Sequence, residues 1–583
     1  MRTDGLLLAA RPDRDARARN GALVAEAERL GYRPLGPCVR PDEADGAPTA
    51  ALHLMVRGDD VDGRFDGERA TVVIGVVVGG DARTLARHAE EGAAGLGPIA
   101  AAWQGNWVAL HAGKDEACVV TDQLGSWTVS TASASGVQVF GTSMMDVARL
   151  TGHGTIDTES AREFLARGAV SSPHTLIAGV RRLWPGSSVV VDAAGEVREH
   201  VDWAPTRDRG PSSVEESAHL LRSRMERLVE GLIGRYGSPT ILFSGGEDSR
   251  VLGRMFVSAG KRLGQSQSPD GVILTDAENR EFQLARAAAR RIGLTLHART
   301  RPSDHYIRHI ERLQRVVGPG IDLASAHVVG LLEEGTDRLH VDGWTADTFF
   351  KGLYLPRHRT MRLGFRVALD RAAEPVKGLP KGFVGDPSRY QEKLERIAAF
   401  RDEREIIPWS RMWPVGDHQD YGMFATGAAL LRYISPFMTG DLVAAAAGLD
   451  EDAKLDRALF QRAFGRTLGS AGLVPRSGGQ IPRLGPYANL VAEPVVNAAF
   501  RAADAVGQRR GRVVHPGPWQ PRDVLAAAVR SRLGELDPPL VAEACRLTGT
   551  DHHDDLKPLV QHRLLQLALL PGTLAADGVR GPS

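Results

Sequence analysis

Ser244-Gly245-Gly246-Glu247-Asp248-Ser249 breaks the apolar character of the run from Ile241 to Leu252. Two glycines there let backbone N–H groups approach an anion, and Asp248 beside them is a hard oxygen ligand for a cation. Between a strand and a helix, such a turn suits a pyrophosphate group held together with a magnesium ion. The Gly-Lys-Ser/Thr of one common phosphate loop and the third spaced glycine of the dinucleotide loop are both absent. The plainer alternative is a bend in which Ser244 or Asp248 caps a helix and the glycines only permit the turn. A second loop weighs against it. In "HVDGWTADTFFKGLY", residues 340–354, a short strand ends at Asp342-Gly343 and Asp347 opens an aromatic helix, so a carboxylate from a neighbouring strand end would complete the magnesium shell.

The elements that must position these loops follow from periodicity. From Ser213 onward, long amphipathic helices alternate with short apolar strands: "SVEESAHLLRSRMERLVEGLIGRYG" (helix), "TILFSGG" (strand), "DSRVLGRMFVSAG" (helix), "DGVILTD" (strand) and "ENREFQLARAAARRIG" (helix). This βαβα order predicts a parallel sheet with helices on both faces. Residues from about 360 to 583 read as successive helices. The first 200 residues read mostly as strands, among them "ATVVIGVVVGG", "ACVVTDQLGSWTVSTA" and "SGVQVFGTS", with a helix at "DTESAREFLARGAV" and a return to strand up to "VREHVDW". That half is α+β. The polar, Pro/Gly/Ser-rich "APTRDRGPSS" predicts a linker at 204–213 between domains 1–203 and 214–583.

Composition narrows the class. With 583 residues, 43% hydrophobic and 25% charged, the chain is globular and long enough for several domains. Its 72 Lys plus Arg against 71 Asp plus Glu give a formal charge of +1, which argues against nucleic acid or an acidic membrane surface as a partner. Three scattered cysteines (Cys38, Cys118, Cys545) fit no zinc spacing and no disulfide framework. With no secretory segment or long apolar run in view, a cytoplasmic location is expected.

"FSGGEDS" matches Ser-Gly-Gly-x-Asp-Ser, the pyrophosphate loop of the ATP pyrophosphatases. "GWTADTFFKG" stands at the place of Gly-x-Gly-x-Asp-Glu-x-Phe-x-Gly, and "YISPFMTGDLV" at that of Pro-Phe-Leu-Asp. In the first half "TDQLGSWTVS", "VFGTSMMDVARL" and "TLIAGVRRLWPGSSVVVD" follow, in order, an Asp-x-x-Gly-x-x-x-Leu strand pair, a Ser-Glu-x-Lys-x-Leu element and a Val-x-x-Leu-Pro-Pro-Gly hairpin. On these motifs the chain resembles the asparagine synthetase family of class II amidotransferase-like proteins, which includes β-lactam synthetases and lasso-peptide cyclases. The resemblance implies an α+β N-terminal Ntn-amidotransferase-like sandwich, then an α/β ATP-pyrophosphatase (adenine nucleotide alpha hydrolase-like) domain with a helical C-terminal part. It implies ATP and Mg2+, with a substrate carboxylate attacking the α-phosphate and an amine then taking the acyl group. Ser244, Gly245, Gly246, Asp248 and Ser249 would hold the pyrophosphate, Asp248 and Asp347 the metal, Leu274 and Gly343 would border adenine and ribose, and Phe243 would join the nucleotide-binding residues.

The departures shape the expected activity. Glutaminase members carry a catalytic Cys after the initiator Met, where this chain has Arg2. The first domain is therefore expected to keep its sandwich without hydrolysing glutamine, and the nitrogen to come from a substrate amine. Trp344 and Thr348 replace the Glu or Tyr and the Glu of the second loop, and Gly478 stands where an Arg-x-Lys segment carries its lysine. Arg476 or Arg483 would supply positive charge, although a guanidinium is not an equivalent point charge. Arg250 is a further candidate for phosphate contact. Asp417, His418, Asp420 and Tyr421 are candidates for the general base, His418 foremost because its ordinary pKa suits proton abstraction from an amine. The expected function is an ATP-dependent, AMP-forming amide-bond synthetase of specialised metabolism acting on small-molecule or peptide carboxylates and amines. The alternatives are an intramolecular cyclase of the lasso-peptide or β-lactam type, and a non-catalytic protein that binds a nucleotide or peptide on the inherited fold.

Overall fold

The computed structural model describes residues 4–10, 16–35, 51–58, 62–66, 69–114, 116–192, 194–275, 279–302, 304–334, 336–354, 387–509, 522–550 and 552–576. Arg2, Cys38 and the first part of the expected helical run, residues 360–386, lie outside the described residues.

The first twelve strands are β1 (Asp4–Ala10), β2 (Arg33–Pro34), β3 (Ala51–Arg57), β4 (Asp62–Phe65), β5 (Ala70–Val78), β6 (Gln104–Ala112), β7 (Ala117–Thr121), β8 (Ser130–Ala134), β9 (Val137–Gly141), β10 (Arg181–Arg182), β11 (Ser187–Val191) and β12 (Val197–Val201). They form two antiparallel sheets, ordered β10-β8-β9-β1-β3-β2 and β12-β11-β7-β6-β5-β4. The sheets meet closely, since a Cβ on Gly5 of β1 would lie 2.6 Å from the Leu110 side chain of β6.

Strand β5 shows why its sequence is continuously apolar. Val72, Ile74 and Val76 join the main core with Leu8 and Val108. The alternate residues Val73 and Val77 join a second cluster with Leu85, Leu96, Trp107 and Cys118. A strand covered on both faces needs apolar side chains at every position rather than every other one. The helices Ala82–His88 and Leu96–Ala100 supply that second cover, and together with Ala16–Arg29 and Met144–Leu150 they make this half richer in helix than its sequence pattern predicts.

The third sheet is parallel throughout: β13 (Thr240–Leu242), β14 (Asp270–Thr275), β15 (Thr295–Thr300), β16 (Leu339–Val341) and β17 (Arg432–Ile434), in the order β15-β14-β13-β16-β17. The expected helices lie at Val214–Tyr236, Glu247–Arg262 and Arg280–Ile292. Ser213 caps the first, its Oγ accepting from the Glu216 N–H at 3.3 Å, and Gly237 ends it at φ 74°. After β15 the chain returns to the opposite side of β13, so the strand order reverses between β13 and β16. In an open parallel sheet a crevice opens at the carboxyl ends of the strands at that point. Strand β17, within the stretch read as helices, was not anticipated, because its three residues are too short for a period to show.

The segment 204–213 is packed rather than extended. Arg207 pairs with Asp450 at 2.7 Å, Asp402 at 3.0 Å and Glu405 at 3.2 Å. Buried polar contacts also join the halves. Asn106 donates to the Met438 carbonyl (2.7 Å) and accepts from the Ser435 N–H (2.9 Å), and the Trp413 indole donates to the Gln123 carbonyl (3.0 Å). Among the described residues no helix is long and apolar enough to cross a membrane, and Cys118 and Cys545 are buried free thiols.

Candidate functional site

The two loops singled out in the sequence leave the adjacent strands β13 and β16 and meet at the switch point. Gly245 takes φ 75°, and a Cβ there would lie 2.7 Å from Ala285 Cα, so glycine lets the helix Arg280–Ile292 approach the turn. The Gly246 N–H donates to Ser244 Oγ (3.2 Å), and Ser249 Oγ donates to the Gly246 carbonyl (3.1 Å), which fixes the turn onto the helix Glu247–Arg262. In the second loop a Cβ on Gly343 would come within 2.7 Å of Asp248 Cβ. The loops therefore touch backbone to side chain. Thr345 holds φ 69°, a left-handed conformation costly for a β-branched residue, at the place of the motif's second glycine.

Asp248 and Asp347 converge on one ammonium. Lys351 Nζ lies 2.8 Å from Asp347 Oδ1, is in direct contact with Asp248 Oδ1, and is 3.7 Å from Glu247. Its side chain is only 3% exposed and lies 4.5 Å from the centre of the Phe460 ring. Glu247 has other partners, Arg457 at 2.9 Å and the Gln461 amide. Burial, reinforced by Asp347 and Glu247, outweighs Lys351 and pushes the Asp248 carboxyl up to about 7. Burial also opposes the charge of Asp347, but Lys351 and then the arginines Arg476 and Arg457 bring that carboxyl below its ordinary value. Lys351 itself is raised, the three carboxylates overcoming the effect of burial.

Above the loops lies a crevice of about 290 Å3. Phe243, Ser244, Asp248, Ser249, Leu274 and Gly343, all predicted to border a nucleotide, line it together. Glu281, Arg301, His327, Asp342 and Trp344 line it too. Asp342 is buried and accepts from the Tyr433 hydroxyl (2.6 Å), the Ser435 hydroxyl and the Trp344 N–H (3.2 Å), and burial raises its carboxyl to about 6. Burial likewise raises Glu281 to about 7 against the pull of Arg476 and Arg301. Arg301 donates to the Tyr306 hydroxyl (2.7 Å), which meets His327 Nδ1 at 2.8 Å. Trp344 stacks on Phe424 with centroids 6.2 Å apart.

Three assignments need correction. Arg250 is fully buried and donates to four backbone carbonyls: Gly245 (2.8 Å), Ala471 (2.9 Å), Val474 and Pro475 (3.2 Å). It fastens the turn to the 471–475 segment and does not reach into the crevice. His418, the leading candidate for a base, is buried away from the crevice lining. Its Nδ1 accepts from the Asp420 N–H (3.1 Å), which leaves the ring proton on Nε2 facing the Tyr354 hydroxyl at 2.5 Å. Burial and then the Lys393 charge lower it to about 4, so its one lone pair is both committed and weakly basic. Asp417 is locked against Lys393 (2.8 Å), Arg182 (3.3 Å) and Ser172 (2.8 Å), which hold it ionised in spite of burial. Arg476 stays half-buried in a turn closed by its N–H to the Gln480 carbonyl (2.7 Å), near enough to act on Asp347 and Glu281 through its charge.

The carboxylate pair fits a divalent ion that also binds phosphate. Among the described residues no three His, Cys, Asp or Glu side chains form a metal cage. Magnesium is ordinarily held by one or two carboxylates, with water and phosphate oxygens completing its octahedron. Asp248 Oδ1 and Asp347 Oδ1 both face the Lys351 ammonium, so the pair is already arranged around one cation.

No protein-family model matches the chain, and no curated protein matches it. Solved structures similar to it include the glutamine phosphoribosylpyrophosphate (PRPP) amidotransferase from B. subtilis complexed with ADP and GMP, at 9% identity over 52% of this chain and 82% of that one, with a TM-score of 0.22. Another is described as the allosteric regulatory enzyme of purine biosynthesis, at 10% identity over 50% and 80% of the two chains, with a TM-score of 0.21. Likeness at that level carries no argument about what this chain does.

Proposed function

We propose that the chain is an ATP-dependent, AMP-forming amide-bond synthetase that activates a substrate carboxylate and passes its acyl group to a substrate amine without glutamine. The observation that carries this reading is the convergence of Asp248 and Asp347 on one cation, directly beside a glycine turn at the N-terminus of a 16-residue helix. A helix N-terminus attracts anions, but Glu247 and Asp248 in its first turn would repel a bare phosphate. An anion therefore fits here only with a cation between it and the carboxylates. Asp248 and Asp347 would hold magnesium, which when bound neutralises charge building on the leaving pyrophosphate. The amides of the Ser244–Ser249 turn would orient the phosphates, Leu274 and the apolar wall would receive the base, and Trp344 would shield the reacting centre from water.

In the reaction a carboxylate oxygen bonds to the α-phosphorus as the bond to the β-phosphate bridge breaks, releasing pyrophosphate. The amine nitrogen then bonds to the acyl carbon, AMP leaves with the C–O electron pair, and the amine proton is lost. A second reading, a nucleotide-binding protein without chemistry, is favoured by one observation: the lone pair of His418 is committed to the Asp420 N–H and, with the ring lowered to about 4, is only weakly basic.

Pyrophosphate release from ATP and magnesium, measured against libraries of carboxylates and amines, separates the two. Release that needs both ATP and a carboxylate and disappears in Asp248→Ala is the expected result, and product mass then reads whether the two groups belong to one molecule. Calorimetry that finds no binding of magnesium–ATP sinks both readings; binding without release under any pairing favours the second.

A further inference from the structure

We propose that Lys351 is a built-in cation that holds the place of the divalent ion between Asp248 and Asp347 and has to leave when that ion enters. The inference rests on the reading that magnesium binds between those two carboxylates. Three observations converge on it.

The ammonium is almost fully buried, yet it is held by ion pairs and an aromatic face rather than by backbone carbonyls that would fix it permanently. Arg250, in the same neighbourhood, shows the opposite arrangement, with its guanidinium tied to four carbonyls. A lysine ammonium is a compact charge on a flexible four-carbon stem, which makes it displaceable in a way that the fixed arginine is not.

Charge bookkeeping also separates the groups. Glu247 is matched by Arg457 at 2.9 Å and by the Gln461 amide, and Arg457 reaches it from a left-handed conformation, φ 65°. That leaves Lys351 as the cation directly paired with Asp248 and Asp347. Arg476 and Arg457 act on Asp347 from further off, so the ammonium is the cation in contact with both carboxylates, and a divalent ion in its place would bring the pair one more positive charge.

Finally, both carboxylates present Oδ1 to the same ammonium, Lys351 Nζ lying 2.8 Å from that of Asp347 and in direct contact with that of Asp248, so a small cation at that point would meet both oxygens. A consequence is ordered loading. A metal ion alone has to displace an ammonium already paired with both carboxylates, while an ion arriving with phosphate brings oxygens that can take the ammonium over. The site should bind its metal weakly by itself and strongly with the nucleotide.

Manganese in the absence of nucleotide is the probe, followed by the electron paramagnetic resonance of the free ion. Lys351→Met is expected to bind manganese about tenfold or more tightly than the natural protein, because a like charge close to the ion has been removed. Asp248→Ala in the Lys351→Met background should abolish that gain. Equal affinity in the two proteins, weaker binding in Lys351→Met, binding in neither, or a gain that survives Asp248→Ala each overturns the proposal. If Lys351→Met does not fold, as read by circular dichroism and gel filtration, Lys351→Gln is tested in the same way. The natural protein supplies an independent check with adenosine 5′-(α,β-methylene)triphosphate, which cannot release pyrophosphate: once the ion chelated by the nucleotide alone is subtracted with a protein-free control, manganese should bind the protein at least about tenfold tighter with the nucleotide than without it, and equal affinity overturns the proposal. None of these measurements depends on turnover. Substrate-dependent pyrophosphate release together with unchanged manganese affinity in Lys351→Met would retain the synthetase reading and discard this one.

Discussion

Replacing Arg250 by methionine tests whether this side chain fastens the turn or touches the nucleotide. The substitution removes four hydrogen bonds from a charged donor to carbonyls of Gly245, Ala471, Val474 and Pro475. At about 1.5 kcal/mol for each bond to a charged group, a figure that already includes desolvation, the loss is about 6 kcal/mol. For a cooperative unit of several hundred residues that lowers the melting temperature by about 6–10 °C. Arg250→Lys should fall between, since an ammonium keeps the charge but cannot span four carbonyls. Differential scanning calorimetry without ligand reads the shift, and titration with magnesium–ATP reads the site. A phosphate ligand would behave in the opposite way, with stability unchanged and affinity lost. A melting temperature within about 1 °C of the natural protein, together with at least tenfold weaker nucleotide binding, would refute the structural role.

Gly343→Ala sets a Cβ 2.7 Å from that of Asp248, and overpacking of this kind costs about 1–3 kcal/mol. Calorimetry should find magnesium–ATP bound about tenfold more weakly, and an unchanged affinity counts against contact between the loops. From pH 7 to pH 5 two sets of buried groups should offset each other. Burial holds His111, His305 and His418 at about 4 and His327 at about 3, below the ordinary value near 6.5 that they regain on unfolding, so the unfolded chain binds those protons and each histidine withdraws about 1.4 kcal/mol per pH unit below about 6.5. Burial raises Asp122, Asp248 and Glu281 to about 7 and Asp342 to about 6, so the folded chain binds those protons and each carboxyl returns about 1.4 kcal/mol per pH unit below its folded pKa. A urea midpoint that falls steeply from pH 7 to pH 5 would contradict the burial of the four carboxyls.

The Ser244–Ser249 turn and Asp347 were legible because their conformations are local: two glycines, a strand before and a helix after are enough to place them. Three of the four partners of Arg250 were not, lying 221 to 225 residues further along the chain, and its position beside the turn suggested a phosphate contact that the packing rules out. His418 read as a base from its residue type alone, whereas its environment is set by Tyr354, 64 residues before it, and by burial. Lys351 passed unnoticed because a lone lysine after an aromatic pair usually marks a solvated helix end. Asp342 and Arg301 left a usable signal, since each directly follows a strand, β16 and β15, whose carboxyl end faces the crevice. The first half was legible as strands, but its short helices were not: Ala82–His88 and Leu96–Ala100 are held by the second core cluster, and Ala16–Arg29 and Met144–Leu150 pack on the main one.

The Asn106 contacts set the terms on which the second half could be borrowed as a module of its own. Asn106 is fully buried in the first half, yet it holds Ser435 and Met438, and Ser435 in turn holds Asp342 at the floor of the crevice. A chain cut to begin at residue 214 would strip the Ser435 N–H and the Met438 carbonyl of these partners and leave the end of β16 unsupported from below. Swapping in a foreign first half would succeed only if it presented a side chain with one donor and one acceptor at that point, which a carboxylate or an aliphatic residue does not. The first half acts on the crevice as a jig that holds its floor in place, and modularity here has to be sought by co-expressing the two halves, not by trimming one away.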